Sequence, residues 1–221
     1  MLYKNIKEKI SGQKIVPLYY HDDEMVSLEI LRSLYKAGFK AVEYTNRGAN
    51  AINNFKALQK AAQKEMPGLL LGIGTIFSTT SAQDYIDAGT AFIVCPTVNT
   101  EVGKVSLKNN IPWIPGCITP TEIATAKDTG TEMVKLFPAN LLDPSYLKSI
   151  REIFPGLNFM PTGGISSEPK KILPWYEAGA IAVGLGSKLI TKEHIDSKNY
   201  SQISKDSKEL LDSILKHTQS L

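Results

Sequence analysis

The run Met133-Val134-Lys135-Leu136-Phe137-Pro138 places one lysine in the middle of an apolar segment. Side chains alternate along a strand, so Lys135 shares a face with Met133 and Phe137. If that face is buried, desolvation disfavours the ammonium form. A neutral primary amine is the nucleophile that adds to a ketone and condenses to a Schiff base. On this strand alone, a lysine that reaches back to solvent or pairs with a carboxylate is an equally good reading. A second run, Val42-Glu43-Tyr44-Thr45-Asn46-Arg47, puts Glu43, Thr45 and Arg47 on one face. Glu43 could move protons, and Arg47 could hold a carboxylate through two parallel hydrogen bonds. The alternative is a structural ion pair of Glu43 with Arg47 or Lys135. Buried pairs are poor stabilisers, which favours a functional site.

Two glycine-rich motifs follow later strands: Pro161-Thr162-Gly163-Gly164-Ile165 and Gly184-Leu185-Gly186-Ser187. Glycine lets backbone N–H groups approach phosphate oxygens, and the loops after the last two strands of barrel enzymes often bind phosphate. Thr162 and Ser187 would add hydroxyl donors. Either motif alone is more often a tight turn. Gly72-Ile73-Gly74-Thr75 lacks the third glycine and the later acidic residue of a dinucleotide fingerprint, so no nucleotide cofactor is expected. Thr75 is better placed as a polar contact at the end of a strand. His21-Asp22-Asp23-Glu24 contains metal donors, but His194 and His217 lie far off in the sequence. Helix capping is its expected use, and no metal is expected. Trp113 and Trp175 read as packing residues, and Cys95 and Cys117, inside apolar blocks, as buried reduced thiols.

These residues need elements to position them. Short apolar runs alternate with longer amphipathic segments. The strand candidates are Lys14–Tyr20, Phe39–Arg47, Leu69–Ile76, Phe92–Thr97, Ile111–Cys117, Met133–Ala139, Asn158–Gly164 and Ala180–Gly186. Helical spacing marks segments such as Met25–Ala37, Ala51–Lys64 and Ser145–Phe154. Thr119-Pro120-Thr121-Glu122 is a capping box with proline in the first helical position, and Asp143-Pro144 offers a similar start. A last helix over Tyr200–Thr218 carries Ile203, Leu210, Leu211, Ile214 and Leu215 on one stripe and should pack on the rest. Eight strand-then-helix units predict an α/β fold, a (β/α)8 TIM barrel, over residues 1–221 as one domain. An open doubly wound sheet is the structural rival.

The chain has 221 residues, 43% of them apolar, and a formal charge of +3 spread along its length. That composition suits a packed core and gives no basic patch for nucleic acid. No segment approaches the length of a membrane span, and the start lacks the apolar core of a signal peptide. A soluble, cytoplasmic protein is expected.

The segments Val42-Glu43…Thr45…Arg47, Gly72-Ile73-Gly74-Thr75, Phe92-Ile93-Val94-Cys95-Pro96, Ile114–Glu122, Val134–Ala139 and Pro161–Ile165 occur in a familiar order. Over roughly residues 14–190 the chain resembles the 2-keto-3-deoxy-6-phosphogluconate (KDPG) aldolases, which also act on 4-hydroxy-2-oxoglutarate (KHG). The resemblance implies a class I, Schiff-base aldolase with pyruvate as one product and no cofactor. It makes Lys135 the Schiff-base lysine and Glu43 the general acid/base. Arg47 and Thr75 would hold the pyruvyl carboxylate, and Pro96 and Phe137 would line the pocket. Thr162, Gly163, Gly164 and Ser187 would receive the phosphate end, and the assembly would be a homotrimer. Tyr44 and Asn46 stand where a small aliphatic residue and leucine are common, and Tyr19-Tyr20-His21 where smaller residues are usual. Cys95 stands where serine is common. A sugar-phosphate isomerase or epimerase with Glu43 as base, or a non-catalytic keto-acid-binding protein, is the alternative on the same barrel.

Overall fold

The computed structural model describes residues 2–219, with side chains described from residue 5. Among these residues nine short strands occur: β1 Ile15–Tyr19, β2 Ala41–Thr45, β3 Leu70–Gly74, β4 Ile93–Val94, β5 Trp113–Ile114, β6 Gly116–Cys117, β7 Met133–Leu136, β8 Asn158–Pro161 and β9 Val183–Leu185. They pair in parallel in the orders β5-β4-β3-β2-β1-β9 and β6-β7-β8. A parallel bridge between Thr162 and Gly184 joins β8 to β9. β5 and β6 are the two halves of one barrel strand, parted at Pro115. Proline has no N–H to give to the ladder, although its carbonyl still accepts from Lys135 N at 2.8 Å. The ring of strands therefore closes, and the architecture is a (β/α)8 barrel. The expected fifth strand, Ile111–Cys117, is corrected to two shorter pieces for this reason.

The helices are α1 Leu2–Gln13, α2 Glu24–Lys36, α3 Ala51–Glu65, α4 Thr79–Asp87, α5 Thr100–Lys108, α6 Pro120–Thr129, α7 Pro144–Ile153, α8 Pro169–Glu177, α9 Lys192–Asp196 and α10 Tyr200–Thr218. All but α1 and the short α9 follow barrel strands in turn and form the outer ring. Their starts are written locally. Asp23 Oδ1 accepts from Val26 N at 2.9 Å to open α2, the use expected of the His21–Glu24 cluster. Thr119 and Glu122 form the capping box of α6, and Asp143 caps α7 through Ser145 N at 2.9 Å. α10 spans the expected range and packs between α2 and α8, burying Ile203, Leu210, Leu211 and Ile214.

Two apolar layers result. Ile15, Tyr19, Val42, Tyr44, Leu71, Ile73 and Val134 face outward to the helices. Val16, Ala41, Phe92, Val94, Ile114, Met133, Met160 and Ala182 fill the inside, joined by Ile6 and Ile10 of α1. α1 plugs the N-terminal end of the barrel, an element the strand-and-helix reading above does not include. Gln13 fixes it there: its Nε2 donates to Ile15 O (2.6 Å) and Ala41 O (2.7 Å), while its Oε1 accepts from Lys40 N and Ala41 N, both at 2.9 Å. This inner layer sets the phase of every strand above it.

Candidate active site at the C-terminal ends of the strands

Two residues above Ala41 on the inner face comes Glu43, then Thr45. Two above Met133 comes Lys135, then Phe137. Lys135 is 6% exposed and Glu43 1%. They belong to the second and sixth barrel strands, on opposite walls, and both reach inward. No ion pair within 4.0 Å involves Lys135 among the described residues, and its Nζ lies 4.7 Å from the centre of the Phe137 ring. Burial pushes the Glu43 carboxyl above its ordinary value, against the opposing pull of Lys135 and then of Arg47. Its Oε2 is buried without a hydrogen-bond partner in the protein. Buried acceptors are rarely left so, and this one is available to a ligand.

Glycine makes the room. A Cβ on Gly74 would overlap Glu43 Oε1, one on Gly72 the Phe92 ring, and one on Gly116 the Pro96 carbonyl. The small inner face of β3 is thus filled by the Phe92 and Glu43 side chains, and that of β6 lies against the backbone of Cys95 and Pro96. At the rim, Thr75 adopts φ +65°, which is costly for a β-branched residue, on the order of 1–3 kcal/mol. Thr75, Pro96 and Phe137 are half-buried and Arg47 is exposed. Gly163 and Gly164 have φ of 96° and 72°, and the carbonyl of Gly163 accepts from Asn140 N at 2.9 Å. Ser187 is exposed in the turn after β9. Thr162 differs from these: it is 2% exposed, packs against Gly184 and donates from Oγ1 to Met160 O at 3.2 Å. Its hydroxyl lies beneath the rim that Gly163, Gly164 and Ser187 form. Two surface clefts of about 440 and 410 Å³ flank α10 and reach neither Lys135 nor Glu43.

Cys95 and Cys117 are free and buried, and burial pushes each thiol up to about 12. Only the thiolate is nucleophilic, so burial works against reaction at either sulfur. Cys95 Sγ accepts from Trp113 Nε1 at 3.3 Å. Sequence reasoning missed the space at Gly74. The signal was present in the alternation of Leu70, Gly72 and Gly74 on one inner face.

A buried lysine and a buried carboxyl thus face each other inside the barrel, with a guanidinium at its mouth. The family model "KDPG and KHG aldolase" matches residues 6–206. A 2-dehydro-3-deoxy-phosphogluconate aldolase of Pseudomonas aeruginosa is 30% identical, over 92% of this chain and 90% of its own. One from Treponema pallidum is also 30% identical, over 93% and 96%. The KDPG aldolase of Legionella pneumophila, solved with pyruvate captured as a covalent carbinolamine, superposes with a TM-score of 0.84. It is 26% identical, and the match covers 93% of this chain and 97% of that one. The chain belongs to the KDPG and KHG aldolase family.

Proposed function

We propose that Lys135 and Glu43 catalyse reversible cleavage of a 2-keto-4-hydroxy acid to pyruvate and an aldehyde. The observation that carries this is a lysine 6% exposed, facing a carboxyl whose buried Oε2 has no partner in the protein. The Nζ of Lys135 adds to C2 of the substrate and gives a carbinolamine. Glu43, in its acid form, supplies the proton with which the C2 hydroxyl leaves as water. The iminium then draws in the C3–C4 bonding pair while Glu43, now a carboxylate, takes the proton of the C4 hydroxyl. The aldehyde departs, and the enamine regains a proton at C3 from Glu43. Hydrolysis frees pyruvate and the amine. A carboxyl held above its ordinary value by burial suits a group that must give and take a proton in one cycle.

Arg47 and Thr75 hold the carboxylate, Pro96 and Phe137 line the pocket, and Gly163, Gly164 and Ser187, with Thr162 beneath them, receive the far end. KDPG, split to pyruvate and glyceraldehyde 3-phosphate, is the proposed substrate, with 4-hydroxy-2-oxoglutarate, split to pyruvate and glyoxylate, as a second. A cytoplasmic homotrimer is the proposed state. Among the described residues no helix is long and apolar enough to cross a membrane.

Pyruvate release from phosphorylated and plain 2-keto-3-deoxy acids tests this reading. Lys135→Met should lower turnover of every substrate by at least about 10³-fold. Ser187→Ala should weaken phosphorylated substrates alone, by about 3- to 10-fold in KM. Release that survives Lys135→Met would refute the mechanism.

A further inference from the structure

Behind the loop that carries Arg47 lies a network of phenols and amides that takes no part in bond breaking. Tyr44 donates to His21 O at 2.9 Å and lies 3.3 Å from both Ser27 Oγ and Asn54 Nδ2. Asn54 Nδ2 also donates to the Asp22 carbonyl at 2.9 Å. The Tyr20 ring sits 5.6 Å from the Tyr44 ring, and its hydroxyl donates to Asp22 Oδ1 at 2.5 Å. That hydroxyl occupies the space a Cβ on Gly48 would need, so the phenol lies flush across the backbone next to Arg47. The other flank is pinned as well. Asn46 N donates to Gly74 O at 2.8 Å, Asn46 Oδ1 accepts from Tyr85 at 2.9 Å, and Asn46 Nδ2 donates to Ser81 Oγ at 3.3 Å. Arg47 itself is exposed and, among the described residues, forms no ion pair within 4.0 Å. Its neighbours are fixed and its own side chain is left for a ligand. Tyr20 and Tyr44 thus brace one flank of Arg47 and Asn46 the other.

We propose that Tyr20 is a positioning residue for substrate binding. Hydrogen-bonded to Asp22 and laid across Gly48, it holds the loop 46–48 so that the Arg47 guanidinium meets the carboxylate of the keto acid. The inference rests on the carboxylate-binding role given to Arg47 above. A long side chain ordered from a fixed backbone loses less freedom on pairing, and two-pronged pairing is sensitive to small misplacement.

The test compares Tyr20→Phe, Asp22→Ala and Arg47→Ala, alone and in pairs, by KM and kcat for pyruvate release. Imine formation with pyruvate and with its uncharged methyl ester, trapped by borohydride, is followed alongside. Asp22 is exposed, and Phe keeps the ring over Gly48, so both variants should fold, which circular dichroism checks. Tyr20→Phe and Asp22→Ala should each raise KM by about 3- to 10-fold with kcat within about two-fold, and together no further. Neither should change trapping of the methyl ester, and Tyr20→Phe should add nothing in the Arg47→Ala background. If Arg47→Ala raises KM while Tyr20→Phe leaves it unchanged, or if Tyr20→Phe slows pyruvate and its ester equally, the positioning role is overturned and the reading of Arg47 stands. If Arg47→Ala itself leaves KM unchanged, both fall together.

Discussion

Glu43 is a costly residue to keep. Burial holds its carboxyl above the ordinary value of 4.5, so the folded protein binds that proton more tightly than the unfolded chain does. The resulting stabilisation is complete below about pH 4.5 and is lost as pH rises toward the folded pKa. Glu43→Gln should therefore be more stable than the parent at pH 7, by about 1.4 kcal/mol for each pKa unit of the shift. The gain should shrink to nothing below about pH 4. Lys135 and Arg47 oppose the shift, but desolvation is the larger cause, so the sign holds. Denaturant unfolding across that pH range checks it, and turnover of the same variant should fall by about 10²- to 10⁴-fold. The position of this carboxyl was legible in the sequence, as was that of Lys135, because a charge interrupting an apolar strand has a definite side. Burial of Thr162 was not, since that depends on Gly184 across a neighbouring strand. The part played by Tyr20 was likewise out of reach, because its partners come from the loops after β1 and β2.

At the scale of elements, the alternation of apolar strands and capped helices carried most of the barrel. Thr119 with Glu122, Asp143 with Pro144, and the stripe of α10 each lay in a few adjacent residues, which is why they could be read. Two features were not local. The fifth barrel strand breaks at Pro115, where the missing N–H matters only against its ladder partners. α1 signals itself by little more than Ile6 and Ile10 one turn apart, and its reason is the open barrel end that it fills. Beside the break, a Cβ on Gly116 would meet the Pro96 carbonyl, a backbone group with no rotamer to yield. Gly116→Ala should cost about 1–3 kcal/mol in denaturant unfolding. It should also impair turnover, because Lys135 pairs in register with Gly116.

For the whole molecule, the barrel closes through the β8–β9 bridge and is sealed below by α1 and outside by α10, which packs against both α2 and α8. A chain so interlocked is expected to unfold in one transition, coincident by fluorescence and circular dichroism. An early, separate loss of helix would contradict this. Light scattering should give the mass of three chains; a monomer would remove the proposed trimer and leave the chemistry untouched. Bringing Lys135 and Glu43 together, 92 residues apart in the chain, is what this closure achieves. The most direct measurement is to incubate the folded protein with pyruvate, reduce with borohydride and map the adduct by peptide mass spectrometry. The account predicts irreversible inactivation with the reduced pyruvyl group on Lys135 alone. An unmodified Lys135, or a label on another lysine with activity lost, would contradict it.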